Sequence, residues 1–242
     1  MAMLKALGTT IDVDLNGSPI DQEEFTALWD RCLVEPAAME ASDVVETVHA
    51  EGNSSLVILT QHITHALIAA RRGELLMLHA GAVAHQTTGR ALAFVAPGGT
   101  GKSTLTRLLA REYGYLTDET VGLDPATLEI FPYPKPITWA AVKGEPKIEH
   151  APDSFGLQAA PPRPWLGDLV VLRRTPDREP SFTELGVLDA IERLVPESSS
   201  VTSLPRPLHV LADVHRRAGC TLIEYGEADD ILDWCRARLE TP

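Results

Sequence analysis

Residues 96–104 combine glycines with a lysine and two hydroxyl side chains at their end. They read Ala-Pro-Gly-Gly-Thr-Gly-Lys-Ser-Thr, directly after the apolar run at 91–95 and before the helical pattern at 105–110. Glycines let the backbone curl until its N–H groups point at phosphate oxygens, and the following helix adds its positive dipole there. Lys102 is placed to reach the β- and γ-phosphates, and the Ser103 hydroxyl to hold Mg²⁺. The pattern therefore predicts a nucleoside triphosphate site.

Eight consecutive residues of this loop are the predicted nucleotide ligands, with ATP and Mg²⁺ as the predicted cofactors. They are Pro97, Gly98, Gly99, Thr100, Gly101, Lys102, Ser103 and Thr104. The usual pattern G-x-x-x-x-G-K-[ST] is broken at one position, where Ala96 replaces the first glycine. The alternative, a glycine-rich turn that leaves its lysine in solvent, agrees less well with a strand before the loop and a helix after it.

Two adjacent acids, Asp118 and Glu119, lie on a short predicted strand at 116–123, after the loop helix. Phosphoryl transfer needs a carboxylate near the metal, because the charge of the triphosphate is neutralised there and the nucleophile is placed in line. Adjacent strand residues point to opposite faces, so without a bulge only one of the two acids faces the loop. A solvated acidic pair at a strand edge is the alternative.

His79 interrupts an otherwise apolar predicted strand at 75–84. A histidine in such a strand is often a hydrogen-bonded core residue. Its strand is expected beside the one that feeds the loop, however, and the small residues Ala80 and Gly81 leave room for a ligand or another backbone. Near the γ-phosphate, His79 could polarise a hydroxyl acceptor or tune a carboxylate base.

Three further sets of polar residues are weaker candidates. Lys135 lies among prolines, where it could bind a phosphate or an acidic substrate, or be a surface lysine in an extended connector. Arg173 and Arg174 end a predicted strand, where they could clamp a phosphate or form ion pairs. His62 and His65 lie three residues apart without a carboxylate at metal-site spacing, which indicates structural or surface residues.

The strands around the loop have an unusual predicted connection. Residues 75–84 and 91–96 form two predicted strands, and six polar residues join them. This connection is too short for a helical crossover, so the two strands are expected to be antiparallel neighbours. Common P-loop folds reach the loop strand through parallel crossovers instead. The hairpin therefore sets this chain apart from those folds.

The remaining pattern alternates helices and strands. In the N-terminal part, we expect a strand at 11–15 entering a hairpin turn at 16–17, a helix at 21–33 capped by Asp21, and a strand at 44–48. After it, the predictions are a helix at 55–72, a long loop at 140–165, strands at 168–173 and 221–225, and helices at 184–195, 206–218 and 228–239. We expect two domains, a small N-terminal α+β lobe at 1–54 and a P-loop domain at 55–242.

Composition limits the partners and the compartment. The 242-residue chain has 34 acidic and 21 basic residues and a net charge of −13, which repels nucleic acid and anionic lipid. No apolar run approaches the roughly 20 residues of a membrane helix, and the first residues lack the apolar stretch of a signal peptide. The three cysteines show no metal-ligand spacing. We therefore expect a cytoplasmic protein without nucleic-acid or membrane partners; homo-oligomerisation is left open.

Several of these features occur together in one family. Residues 78–81, the short hairpin, the loop at 96–104 and residues 117–119 resemble the catalytic domain of HPr kinase/phosphorylase. Within that family, the chain is similar to the shorter homologues of natural-product clusters, such as lasso-peptide kinases. The resemblance is firm over residues 75–137. It implies an α/β P-loop kinase domain of the HPr kinase and phosphoenolpyruvate carboxykinase type, a mixed sheet with flanking helices.

The resemblance also implies roles for individual residues. Lys102 binds the β- and γ-phosphates and Ser103 binds Mg²⁺. Asp118 is the implied base for an acceptor hydroxyl and can share the metal with Glu119, the second implied metal ligand. His79 is implied to lie beside Asp118, where it would raise the pKa of the carboxyl group or orient it. The implied catalytic residues are therefore Asp118, His79 and Lys102.

These observations leave three functions open. The first is an ATP- and Mg²⁺-dependent kinase acting on a hydroxyl of a peptide, a small protein or a small molecule. The second is a nucleotide-binding regulatory or accessory module of a biosynthetic pathway with little transfer activity, since Ala96, Thr104 and Glu119 depart from the family pattern. The third is a small-metabolite kinase of another P-loop branch, against which the hairpin argues.

Overall fold

The computed structural model divides into two compact units. It describes residues 1–35, 44–52, 55–139 and 148–241. The first unit is Met1–Arg71 with Tyr133–Gly156, and the second is Arg72–Pro132 with Leu157–Pro242. The domains predicted at 1–54 and 55–242 stay a prediction.

The first unit contains a small three-stranded sheet. Its elements are β1 (Ala2–Ala6), β2 (Thr9–Asp14), α1 (Gln22–Trp29), β3 (Val44–His49) and α2 (Leu56–Ala70). β1 and β2 form an antiparallel hairpin whose turn residues, Leu7 and Gly8, have φ angles of 50° and 70°. β3 pairs parallel to β2. The hairpin predicted at 16–17 is therefore wrong, because the partner of β2 precedes it and the chain continues from residues 16–17 into α1.

Both helices of this unit begin at the residues that the sequence predicts. The Asp21 side chain accepts a hydrogen bond from the Glu24 backbone N–H at 2.9 Å, and Ser55 caps α2 by accepting from the Ile58 N–H at 3.4 Å. Such caps satisfy N–H groups that have no partner inside the helix. α2 packs on β2 and β3. Its buried apolar residues recur at helical spacing and include Leu59, Ile63 and Leu67.

In the part that the structure describes, the loop predicted at 140–165 is interrupted by regular structure, and the rest of that part has neither helix nor strand. Strands β9 (Ile137–Trp139) and β10 (Ile148–His150) pair antiparallel, and a 3₁₀ turn follows at Pro152–Phe155. Residues 140–147 of the predicted loop lie outside the described residues. The short strands keep their backbone groups hydrogen-bonded within a proline-rich stretch, so composition alone did not indicate them.

The second unit is a mixed α/β structure, as the fold class predicts. The strands of its sheet are β4 (Leu76–Ala84), β5 (Arg90–Val95), β6 (Gly114–Thr117), β7 (Thr120–Leu123), β8 (Ile130–Phe131), β11 (Trp165–Arg174), β12 (Ser181–Glu184), β13 (Ser198–Ser199) and β14 (Cys220–Tyr225). These nine strands have the order β12-β14-β11-β5-β4-β7-β8, with β6 and β13 also pairing with β4. β5, β11 and β14 run parallel, and β4 is antiparallel to β5, which confirms the predicted hairpin.

Helices flank this sheet. They are α3 (Lys102–Leu109), α4 (Val187–Leu194), α5 (Pro207–Ala218) and α6 (Leu232–Leu239). α3 packs on β4, β5 and β6, whereas Leu211 and Val214 of α5 share a buried apolar cluster with Leu78 and Ala80 of β4. Of the helices in the described ranges, none is long and apolar enough to cross a membrane.

The strand predicted at 116–123 is interrupted at its acidic pair. β6 pairs with one part of β4 and β7 with another, and Asp118 and Glu119 lie between the two strands. The Thr117 hydroxyl accepts hydrogen bonds from the backbone N–H groups of Glu119 and Thr120, at 3.2 and 3.3 Å. A side chain that takes the N–H groups of its own chain competes with the ladder of the sheet. The two acids are therefore not fixed on opposite faces.

All three cysteines are free and buried. They are Cys32 in the first unit and Cys220 and Cys235 in the second. Burial disfavours the thiolate and raises the pKa of each thiol to about 12. All three thiols are therefore protonated at neutral pH.

Candidate functional site

The glycine-rich loop lies at the carboxyl ends of the parallel strands. It follows β5, and Val95 at the end of β5 pairs with Val171 of β11. Gly99 and Gly101 have φ angles of +82° and +105°, which side chains rarely adopt. A Cβ added to Gly98 or Gly99 would meet no heavy atom within 4 Å, so the backbone there is open to a ligand. This edge is where open α/β sheets bind ligands.

Lys102 is buried at the first turn of α3. Its ammonium donates hydrogen bonds to the carbonyl oxygen of Ala96 and to that of Pro97, the latter at 3.3 Å. Burial lowers the pKa of Lys102, because the charged form loses its hydration. Three carboxylates oppose this by raising the pKa, in the order of effect Glu197, Asp118 and Glu119. The predicted phosphate-binding lysine therefore lies within the field of both predicted acids and of a third that the sequence did not indicate.

Tyr225 supports the loop from the end of β14. Its hydroxyl donates a hydrogen bond to the Thr100 carbonyl at 2.8 Å. A Cβ on Gly101 would stand 3.0 Å from the same hydroxyl, so the loop and the tyrosine are in close contact. Burial raises the pKa of Tyr225, which keeps the hydroxyl protonated as a donor. Nothing in the local sequence indicates this role, since the parallel pairing of β14 with β11 creates it.

The acidic pair is placed by β6 and β4. The Tyr115 hydroxyl donates to Asp118 Oδ1 at 3.0 Å, and Asp118 is buried. Glu119 is partly buried, and its carbonyl accepts a hydrogen bond from the Ala80 N–H at 3.0 Å. This bond ties the acidic pair to the strand that carries His79.

His79 contacts a carboxylate that the sequence analysis did not single out. Its Nδ1 lies 3.0 Å from Glu197 Oε2, and its backbone N–H donates to the Glu197 carbonyl at 2.6 Å. The adjoining residues, Ser198 and Ser199, form β13 and pair with β4. The predicted proximity of His79 to Asp118 stays a prediction, whereas the pair with Glu197 is observed. Glu197 is 118 residues away in sequence, and no local motif points to it.

A cavity of about 660 Å³ opens beside the first half of the loop. Residues 95–100 line it together with the end of β11, which includes Arg173 and Arg174. Arg173 is paired with Glu224 at 2.9 Å, and Arg174 with Glu227 at 2.6 Å, so the predicted ion pairs are present at the rim of the cavity.

Arg193 and Glu197 also line this cavity. The Nε atom of Arg193 is buried without a hydrogen-bond partner in the described part of the chain. The Glu197 side chain keeps 14% of its surface exposed. The cavity therefore presents charged groups of both signs beside the loop.

Three of the weaker candidates, one lysine and two histidines, lie in the first unit. Lys135 is buried in the first unit and donates to the Pro136 carbonyl at 3.0 Å, so it is not a surface lysine. His62 is partly buried and His65 is exposed on α2, also in the first unit. Among the described residues, no cluster of three or more His, Cys, Asp or Glu side chains could hold a metal ion by itself.

The residues around the loop nevertheless fit a magnesium ion that is shared with phosphates. Ser103 is exposed on the first turn of α3, next to the buried Lys102. Asp118 and Glu119 add carboxylate oxygens whose charge reaches Lys102. Mg²⁺ is usually held by one or two protein groups together with substrate phosphates and water, so a full protein cage is not required. The open cradle at Gly98 and Gly99 fits the phosphates themselves.

The sheet of the second unit and the loop after β5 have the arrangement of a P-loop α/β domain. No protein-family model and no curated protein matches the chain. Among solved structures, it is similar to the HPr(Ser) kinase/phosphatase from Coxiella burnetii, with 15% sequence identity and a TM-score of 0.33. The match covers 68% of this chain and 99% of that chain. This likeness is distant. The narrower resemblance to lasso-peptide kinases stays a prediction.

Proposed function

We propose that the chain is a kinase that transfers the γ-phosphate of ATP to a hydroxyl group. One observation carries this proposal: the buried Lys102 ammonium lies under a glycine-rich loop and within the field of three carboxylates. A buried cation with acids around it is suited to hold phosphate charge next to a proton acceptor. At a site that only binds an anion, the three acids would weaken binding, because they repel the ligand.

The proposed roles follow the positions of the side chains. The backbone N–H groups of residues 98–101 and the Lys102 ammonium bind the phosphates. Ser103, Asp118 and Glu119 are the residues proposed to hold Mg²⁺, which neutralises phosphate charge when bound. The resemblance described above also makes Asp118 a candidate base for the acceptor. The proposed acceptor is a serine or threonine hydroxyl of a peptide or small protein, or a small-molecule alcohol.

The first experiment measures ATP binding and phosphate transfer separately. Binding is followed by calorimetry with ATP and Mg²⁺, and transfer with γ-labelled ATP against serine- and threonine-containing peptides, small alcohols and water. Lys102→Met is expected to weaken ATP binding at least tenfold, because the buried ammonium is lost while the loop glycines remain. Lys5→Met is the matched control, since Lys5 is exposed on β1. Equal ATP affinity in Lys102→Met and the wild type would refute the nucleotide site.

A second outcome distinguishes the regulatory alternative. The departures at Ala96, Thr104 and Glu119 keep a nucleotide-binding module with little transfer activity as the alternative function. That module would bind ATP through Lys102 and transfer phosphate to none of the acceptors. Binding without any turnover, hydrolysis included, would therefore reject the kinase and leave the nucleotide site in place.

A further inference from the structure

Among the described residues, Glu197 is the one acid that lines the cavity beside the loop. Its carboxylate lines the cavity beside the loop, whereas neither Asp118 nor Glu119 does. Of the three acids that raise the pKa of Lys102, Glu197 has the largest effect. The charge of Glu197 therefore acts on the ammonium that is proposed to bind the γ-phosphate. Glu197 also lines the open space beside the loop.

The Glu197 carboxylate is also held in place. The His79 ring contacts Oε2 through Nδ1 at 3.0 Å, and the backbone groups of the same two residues are hydrogen-bonded at 2.6 Å. Pairing of β13 with β4 fixes the residues that follow. A carboxylate positioned in this way loses little freedom when a substrate arrives, which favours proton transfer.

Asp118 is placed differently. It is buried between β6 and β7, and its Oδ1 accepts the Tyr115 hydroxyl at 3.0 Å. Asp118 is not among the residues that line the cavity beside the loop, whereas Glu197 is. The buried position of Asp118 suits a fixed negative charge that acts on the metal and on the Lys102 ammonium. The position of Glu197 in the cavity wall suits a carboxylate that contacts an incoming substrate.

From these positions, and on the basis of the proposed kinase function, we infer that Glu197 is the proton acceptor for the hydroxyl substrate and that His79 positions it. The acceptor oxygen attacks the γ-phosphorus of ATP and its proton moves to a Glu197 carboxylate oxygen. The new O–P bond uses the electron pair of the acceptor oxygen. The bond from the γ-phosphorus to the bridging oxygen breaks, and its electron pair leaves with ADP. The proton is released from Glu197 to water after the product departs.

The first test replaces the carboxylate without changing its shape. Glu197→Gln is expected to lower kcat for transfer by about 10²- to 10⁴-fold, the usual contribution of a general base, with ATP affinity changed by less than about threefold. Glu192→Gln is the matched control, because Glu192 is exposed on α4, one turn before Glu197. Asp118→Asn is measured in parallel, since it is the rival proton acceptor.

Chemical rescue separates proton transfer from a structural role. In Glu197→Ala, sodium formate can enter the space of the missing carboxylate and accept the proton, so kcat is expected to rise with formate concentration. Formate is not expected to restore Asp118→Ala. A merely structural glutamate would give no formate-dependent rise in kcat.

His79 is tested as a positioning residue. His79→Asn keeps an N–H that can reach the carboxylate and is expected to retain more kcat than His79→Ala. Because His79 acts through Glu197, the double variant His79→Ala/Glu197→Ala should be no slower than Glu197→Ala alone. Additive losses would contradict the positioning role.

The outcomes keep this inference apart from the kinase proposal. Transfer by the wild type with full kcat in Glu197→Gln overturns the role of Glu197 and leaves the kinase in place. Formate rescue of Asp118→Ala, and not of Glu197→Ala, assigns the proton to Asp118. A wild-type chain that binds ATP but turns it over with no acceptor, water included, overturns the kinase proposal and the role of Glu197 with it.

Discussion

Gly81 and Thr106 lie so close that no side chain fits between them. A Cβ built on Gly81 of β4 would stand 2.1 Å from Oγ1 of Thr106 in α3. At this point α3, which begins at Lys102, therefore packs directly against the backbone of β4, the strand that carries His79, because Gly81 has no side chain. The room that the sequence predicts beside Gly81 is filled by Thr106, whose hydroxyl is buried without a hydrogen-bond partner in the described ranges.

The first prediction tests this contact. Gly81→Ala is expected to lower the free energy of unfolding by about 1–3 kcal/mol, because an added methyl group overpacks the interface. It should also weaken ATP binding, since α3 must move to make room. Thr106→Ala removes the clashing Oγ1, so the double variant should recover part of the loss. Urea unfolding measures all four proteins, and strictly additive losses would contradict the contact.

The second prediction concerns the support of the loop by Tyr225. Tyr225→Phe removes the hydrogen bond to the Thr100 carbonyl and leaves that loop oxygen without this donor. We expect a loss of about 0.5–1.5 kcal/mol in stability, together with weaker ATP binding from a less ordered loop. Unfolding curves and calorimetric titration measure the two effects. Unchanged ATP affinity would show that the loop does not depend on Tyr225.

The third prediction concerns the buried carboxylate of Asp118. Tyr115→Phe deletes the donor at 3.0 Å from Oδ1 and leaves a buried charged oxygen with one hydrogen bond fewer. Hydrogen bonds to charged groups contribute about 1.5–3 kcal/mol, so a destabilisation in this range is expected. Asp118→Asn should lower the free energy of unfolding by less in the Tyr115→Phe background than in the wild type. Chemical denaturation of the four proteins gives this comparison directly.

The fourth prediction uses the ion pair of Arg31 and Asp153 in the first unit. Their side chains lie 2.7 Å apart, and the hydrogen bond from Arg31 lowers the pKa of Asp153. The folded chain therefore binds this proton more weakly than the unfolded chain. The pair stabilises the fold above about pH 4, and the contribution is lost as pH falls through the lowered pKa of the folded state.

Asp153→Asn measures this contribution. Because 63% of the Asp153 side chain is exposed, solvent screening limits the loss to about 0.2–1 kcal/mol at pH 7. The difference from the wild type should shrink as the pH is lowered towards 3. A difference that stays constant over this range would indicate that the charge of Asp153 is not involved.

The sequence predicted the parts of the site that lie close together along the chain. The loop depends on a run of nine residues and on the apolar strand before it, so its spacing was enough to place Lys102 and Ser103. The hairpin before the loop followed from the length of one connection. The predictions of the loop and of the hairpin depend only on residues that are close together in sequence, so the residue pattern is enough to make them.

The missed residues reach the site through the topology of the sheet. Glu197, Arg193 and Tyr225 are far from the loop in sequence, and each is brought there by the pairing of β13 with β4 or of β14 with β11. The spacing of apolar residues along the sequence does not indicate which distant strands pair. The interruption at Asp118 was missed for another reason: the apolar residues around it fit one strand, whereas the Thr117 hydroxyl ends the first strand by bonding its own backbone.

The burial of the three thiols gives the chain internal reporters of unfolding. With a pKa of about 12, neither Cys32 in the first unit nor Cys220 and Cys235 in the second presents a reactive thiolate while folded. An alkylating reagent should therefore modify each thiol at the rate at which its own surroundings open. Mass spectrometry of the modified peptides would time the opening of the two units separately in one sample, and added ATP should slow labelling at Cys220 and Cys235 first.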